Sequence, residues 1–176
     1  EKQEQTSSVD GVINNINRNL KSFGFSNFSL IKHNDTNDYK LIRNNGELAI
    51  ETLSEGEITF ITVLYFLELV KGSLEPKEDF KEKVIVIDDP ISSLDSTILF
   101  IVSTLIKKII SDIREDNNTI IKQIIVLTHN IYFHKEVSFI DMKKSKRKDT
   151  YYWMLIKEDK TSKFQFFEDK NPIKTG

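Results

Sequence analysis

Two acidic residues, Asp88-Asp89, follow directly on the apolar run Val84-Ile85-Val86-Ile87 and precede Pro90. Ligands of open α/β sheets collect at the carboxyl ends of parallel strands, which is where such a pair would stand. The chemistry it suits is phosphate chemistry. Asp88 would hold Mg²⁺ directly or through its waters, and Asp89 would orient an attacking water. Read alone, Asp88 could equally cap the turn before Pro90. A second apolar run, Ile124-Ile125-Val126-Leu127, closes on Thr128-His129-Asn130. If the two runs are neighbouring strands, His129 lies beside the acids. An imidazole there can donate to a γ-phosphate oxygen and register its presence, although a lone strand-end histidine is more often an ordinary surface residue. His33 and His134 have no comparable neighbours and read as structural.

Leu53-Ser54-Glu55-Gly56-Glu57 stands just before a long apolar segment. Ser54 at a helix N-terminus, with Gly56 letting backbone come close, makes a phosphate cradle. The same residues also spell an ordinary capping box, Ser54 and Glu57 being in the S-x-x-E relation. Ser92-Ser93-Leu94-Asp95 follows the acidic pair and, taken alone, is a serine-rich turn and helix cap.

The elements that must position these residues follow from periodicity. Val9, Ile13, Ile16 and Leu20 recur at helical spacing with Gly24 as the stop. Phe25 to Ile31 and Tyr39 to Arg43 predict a hairpin around Asn34–Asp38, followed by a turn at Asn44-Asn45-Gly46. Glu57 to Val70 is apolar almost all round and predicts a deeply buried helix. Val84–Ile87 and Ile124–Leu127 predict strands covered on both faces, and the helix Thr97 to Ile113 between them makes a right-handed βαβ crossover in a parallel sheet. Tyr151 to Ile156 and Phe164 to Phe167 predict an antiparallel pair joined by Glu158–Ser162. The fold class is therefore α/β, a parallel core with flanking helices plus antiparallel hairpins.

The 176 residues carry 25 Lys+Arg against 27 Asp+Glu, a formal charge of −2. That balance excludes a globally basic nucleic-acid binder, though not a local patch such as Lys143–Lys148. Without cysteine there are neither disulfides nor thiolate metal sites. No signal-peptide core opens the chain and no window is apolar enough to span a membrane, so a cytoplasmic protein is the default expectation. Glu1–Ser8 reads as a frayed end, a tag, or the stub of a longer coiled-coil helix.

Taken together and in this order, the four clusters resemble the C-terminal lobe of an ABC-type, RecA-like ATPase head. Leu53–Glu57 resembles the signature motif, Val84–Asp89 Walker B, Ser93-Leu94-Asp95 the D-loop, and His129 the switch histidine. The strings Asp88–Asp95 and Thr128-His129-Asn130 are most similar to the clade of the anticodon nucleases PrrC and RloC and related bacterial antiphage ATPases. Asp89 stands where transporter ATPases have Glu, and Glu55 where many relatives have Gly. The resemblance implies ATP and Mg²⁺ as ligands, with Asp88 on the metal and Asp89 and His129 catalytic. It implies that Ser54, Glu55, Gly56, Glu57, Ser93 and Asp95 serve nucleotide across a head-to-head homodimer. None of the six glycines starts a G-x-x-x-x-G-K-[ST] loop, so the phosphate-cradling loop would come from an N-terminal Walker A lobe. The expectation is a single lobe over residues 1–176 that is inactive alone, self-associating, and in the intact protein gates an effector such as an RNA-cutting nuclease. Rival readings are an SMC or break-repair head acting on DNA, with tRNA as the other nucleic-acid candidate, and a degenerate dimerisation module.

Overall fold

Apolar residues spaced three and four apart put Val12, Ile13, Ile16 and Leu20 on the buried face of the first helix, α1 (Lys2–Ser22). The computed structural model describes residues 2–33, 39–71, 82–91, 95–115, 117, 120–139 and 150–167, with side chains from Asp10 onward. Helix α1 ends in a Schellman turn. Gly24 takes φ +87°, which only glycine adopts freely, so that Phe25 N–H reaches Leu20 O (2.9 Å) and Gly24 N–H reaches Lys21 O (3.1 Å). Strands β1 (Phe28–Lys32) and β2 (Tyr39–Arg43) pair antiparallel. Asn17 of α1 ties the hairpin down by bonding both backbone groups of Leu30, each at 2.8 Å.

A short 3₁₀ turn (Ile50–Thr52) leads into α2 (Glu55–Val70). This helix buries Phe60, Ile61, Leu64 and Leu67 but leaves Ile58 and Leu69 exposed, so it is less enclosed than its composition suggests. Its buried Glu68 accepts from Asn15 Nδ2 and from Lys71 Nζ, both at 3.1 Å, which compensates the carboxylate. Phe60 packs against Phe23 and Phe25 and draws α2 onto the end of α1.

Strand β3 (Lys83–Asp88), helix α3 (Ser96–Arg114) and strand β4 (Ile121–Leu127) make the expected parallel unit, with Asp88 opposite Leu127. One expectation is corrected. Ile85 and Ile87 are 3% and 9% exposed and join the core with Ile98, Val102 and Ile106 of α3, whereas Val84 and Val86 are 59% and 54% exposed. Ile125 and Leu127 of β4 are exposed as well. The sheet is covered on one face, because two strands and one helix make two layers and no described element lies over the other face.

Helix α4 (Ile131–Ser138) packs beside α3 through Lys107–Glu136 (3.6 Å) and buries Phe133. Strands β5 (Tyr152–Glu158) and β6 (Thr161–Phe167) close the described chain as an antiparallel pair. Their connection is tighter than the expected five-residue loop, since Asp159 accepts φ +37° and lets pairing run to Glu158↔Thr161. Among the described residues, no helix is long and apolar enough to cross a membrane. The basic run Lys143–Lys148, Ser93 and the turn expected at Asn34–Asp38 lie outside the described residues.

Candidate functional site

The parallel ladder carries the chain to the carboxyl ends of β3 and β4 in register, and it continues one bond past Asp88: Asp89 N–H donates to Leu127 O (2.8 Å). That bond leaves Asp89 beside the loop leaving β4. Asp89 takes φ +43°, a left-handed conformation uncommon outside glycine and, among other residues, tolerated best by Asn and Asp. It is doubly unusual here, since a residue before proline favours extended backbone.

Asp89 and His129 meet directly, with Nδ1 to Oδ2 at 2.6 Å. Thr128 Oγ1 donates to the other carboxylate oxygen, Oδ1 (3.3 Å). Both oxygens are thus held by consecutive residues of the β4 loop, yet each keeps a lone pair for a further donor such as water. His129 is 79% exposed at its side chain, against 32% for Asp89. With Nδ1 turned to the acid, Nε2 faces no described partner and is open to a ligand oxygen. If Nδ1–H donates to Asp89, only the doubly protonated imidazole can also donate from Nε2.

Asp88 ends β3 exposed, and its carboxylate has no partner among the described residues. Among those residues no group of three His, Asp or Glu side chains is arranged to hold a metal. One open carboxylate fits Mg²⁺ as that ion is usually held by nucleotide-hydrolysing sites, by one or two protein oxygens with waters and phosphates completing the shell.

The second cluster gathers at the start of α2 and α3. Ser54 and Glu57 form the reciprocal capping box: Glu57 N–H donates to Ser54 Oγ (3.2 Å), and Ser54 N–H to Glu57 Oε2 (2.7 Å). Asp95 caps α3, its Oδ1 accepting from Thr97 N–H (2.8 Å) and Ile98 N–H (3.1 Å). Gly56 is where the two helix starts touch. A Cβ placed on it would stand 3.2 Å from Ile98 Cγ1 and 3.6 Å from Asp95 Oδ2. The close approach that this glycine allows in the structure is therefore to α3. Glu55 is exposed at the first turn of α2.

The structure thus joins Asp88, Asp89 and His129 at one sheet end and Ser54, Gly56, Glu57 and Asp95 at the paired helix starts. The sequence reading gave Thr128 and Asn130 no role. Asn130 caps α4, accepting from Tyr132 N–H (3.0 Å) and Phe133 N–H (3.1 Å), and its own N–H donates to Thr128 Oγ1 (3.0 Å). The available signal was an Asn directly before a helix. Asn130 also lines an open groove of about 510 Å³ between α3 and α4, together with Ser96, Leu99, Phe100 and Tyr132.

The AAA domain family matches this chain over residues 1–176. Two curated relatives from Staphylococcus aureus, one of them from strain MRSA252, are both described as uncharacterized chromosomal cassette SCCmec type IVc protein CR006. Each is 27% identical over 171 residues, covering 94% of this chain and 22% of the relative, so the chain spans under a quarter of their length. A solved structure described under ATP-driven dimerization and DNA-stimulated activation of SMC ATPases superposes with a TM-score of 0.62 at 16% identity. The match covers 96% of this chain and 90% of that one. At that identity the likeness is one of fold, the mixed α/β arrangement with a parallel pair described above.

Proposed function

The chain belongs to the AAA domain family, and from that premise we propose that it is the C-terminal half of a nucleotide-binding head. It binds and hydrolyses ATP when joined to an N-terminal Walker A lobe and to a second head. The observation that carries this reading is the contact of Asp89 with His129 and Thr128 beside the open carboxylate of Asp88, at the carboxyl ends of two parallel strands. The fold likeness to an SMC ATPase supports it.

In this reading Asp89 receives a proton contact from the attacking water through a free lone pair and aligns that water on the γ-phosphate. His129 is held towards the site by its Nδ1 bond to Asp89 and turns to the γ-phosphate with Nε2 when nucleotide arrives. Asp88 would offer its carboxylate to Mg²⁺ or to the water around it, and the ion bound there would supply positive charge against the developing charge of the phosphates. Ser54, Glu55, Gly56, Glu57 and Asp95 serve nucleotide held on the opposite head, a role that falls to Ser93 by its place in the string Ser93-Leu94-Asp95. Ser54 can still donate its hydroxyl proton, because capping uses only its oxygen lone pair. ATP then stabilises the closed dimer and hydrolysis releases it, so the head works as a switch in the cytoplasm for an attached effector. The effector we favour is an RNA-cutting nuclease of the PrrC and RloC kind, a reading that rests on the strings Asp88–Asp95 and Thr128–Asn130.

The test is ATP turnover by the head assembled with its Walker A lobe. Replacing the water-orienting acid by Asp89→Asn should lower kcat about 10²- to 10⁴-fold. Parental turnover by that variant overturns the reading, and an assembled dimer that ignores nucleotide would make the lobe a non-catalytic module. A second reading, a head acting on DNA, draws support from the SMC ATPase likeness. Stimulation of turnover by duplex DNA but not by tRNA would select it.

A further inference from the structure

Thr128 stands between the switch histidine and β4, and its hydroxyl is engaged on both sides. The oxygen accepts Asn130 N–H (3.0 Å), and the proton is then directed to Asp89 Oδ1 (3.3 Å). Asn130 is itself fixed by the two N–H groups it caps on α4, and α4 is braced against α3 by Lys107–Glu136. A continuous polar path therefore runs from a packed helix to the carboxylate. From this geometry we infer that Thr128 is a positioning residue: its hydroxyl fixes the rotation of the Asp89 carboxylate and so aims the lone pair that holds the attacking water. The inference rests on reading Asp89 as the water-orienting group.

The two bonds to Asp89 are unequal in permanence. His129 is largely exposed and is the residue that turns towards a γ-phosphate, so its bond to Oδ2 is free to loosen when nucleotide arrives. Thr128 is partly buried and β-branched, with few rotamers and its oxygen already tied to Asn130. Once His129 engages phosphate, the Thr128 bond is what keeps the carboxylate from swinging about χ1 and χ2. A misaimed base loses rate without losing substrate affinity.

Thr128→Val keeps the volume and removes the hydroxyl. In the assembled head it should lower kcat about tenfold, the worth of one hydrogen bond to a charged group, and leave KM for ATP within about twofold. The thermal midpoint should stay within about 5 °C of the parent. Thr128→Ser restores the donor and should recover kcat to within about threefold. Parental kcat in Thr128→Val, a serine variant no better than the valine one, or a rate loss matched by a larger drop in midpoint would each overturn the inference. Asp89→Asn run in parallel separates the two levels. If it is inactive while Thr128→Val is unimpaired, only the role of Thr128 falls; if it is fully active, the role of Asp89 falls and that of Thr128 with it.

Discussion

The two polar clusters are built from the same residue types and used in opposite ways. At the starts of α2 and α3, Ser54, Glu57 and Asp95 bond to backbone within three residues, satisfying N–H groups that any helix leaves open. At the sheet end, Thr128 and Asp89 are 39 residues apart in sequence, and their bond and the Asp89–His129 contact satisfy no secondary structure. Left-handed backbone at Asp89 costs about 1–3 kcal/mol. The contact with a largely exposed histidine returns roughly 0–1 kcal/mol. The helix starts account for themselves as stabilising devices, whereas the left-handed turn at the sheet end does not, which is what the role proposed for Asp89 expects.

That contrast breaks most visibly at Asp89. Asp89→Asn should lose about 10²- to 10⁴-fold in turnover with the thermal midpoint unchanged or raised, since Asn sits at least as easily at positive φ. A large loss of midpoint would make Asp89 structural after all. Gly56→Val asks the reverse. A branched side chain pressed onto Ile98 should destabilise by about 1–3 kcal/mol in denaturant melts, whatever the nucleotide. If it melts like the parent, the α2–α3 contact is slack. Ser54→Ala should cost about 1 kcal/mol of stability through the lost cap. Should ATP-driven association fail in that variant while the melt barely moves, Ser54 belongs with the working group rather than the capping one.

The smallest effect lies outside both clusters and serves as a control. Burial raises the Tyr39 phenol above its usual pKa of 10.0, with neighbouring Tyr65 adding to the shift. The folded chain therefore keeps this proton longer than the unfolded one, and the contribution, intact below pH 10, declines as pH rises through the raised value. Tyr39→Phe should flatten that alkaline decline in melts taken between about pH 9 and pH 11. An unchanged slope would show that the phenol does not titrate differently on unfolding.

Much of this was legible in the sequence where the signal is local. Ser54 three residues before Glu57 spelled the box that forms, and the runs ending at Ile87 and Leu127 pair in the register that brings Asp89 to His129. What was illegible depends on things outside the pattern. A β-branched run is the same whether one or two layers cover it, so the exposure of Val84 and Val86 could not be foreseen. A residue before proline favours extended backbone, yet Asp89 takes φ +43° while its N–H bonds Leu127 O across the ladder. Nothing around Gly56 in the sequence names Ile98 of α3 as the side chain that comes within 3.2 Å of where its Cβ would stand. Thr128 carries no spacing rule at all, since its partner comes from another strand.

The β5–β6 pair turns one face outward, where Tyr151 and Trp153 lie against Phe166 with Phe164 beyond them. Trp153 is the chain's single tryptophan and is 60% exposed. Its emission is therefore a built-in gauge of how wet that hairpin is. Anything that comes to rest there, another lobe or another copy, will shift the fluorescence to the blue without a label, and that shift can be followed in time as a head assembles.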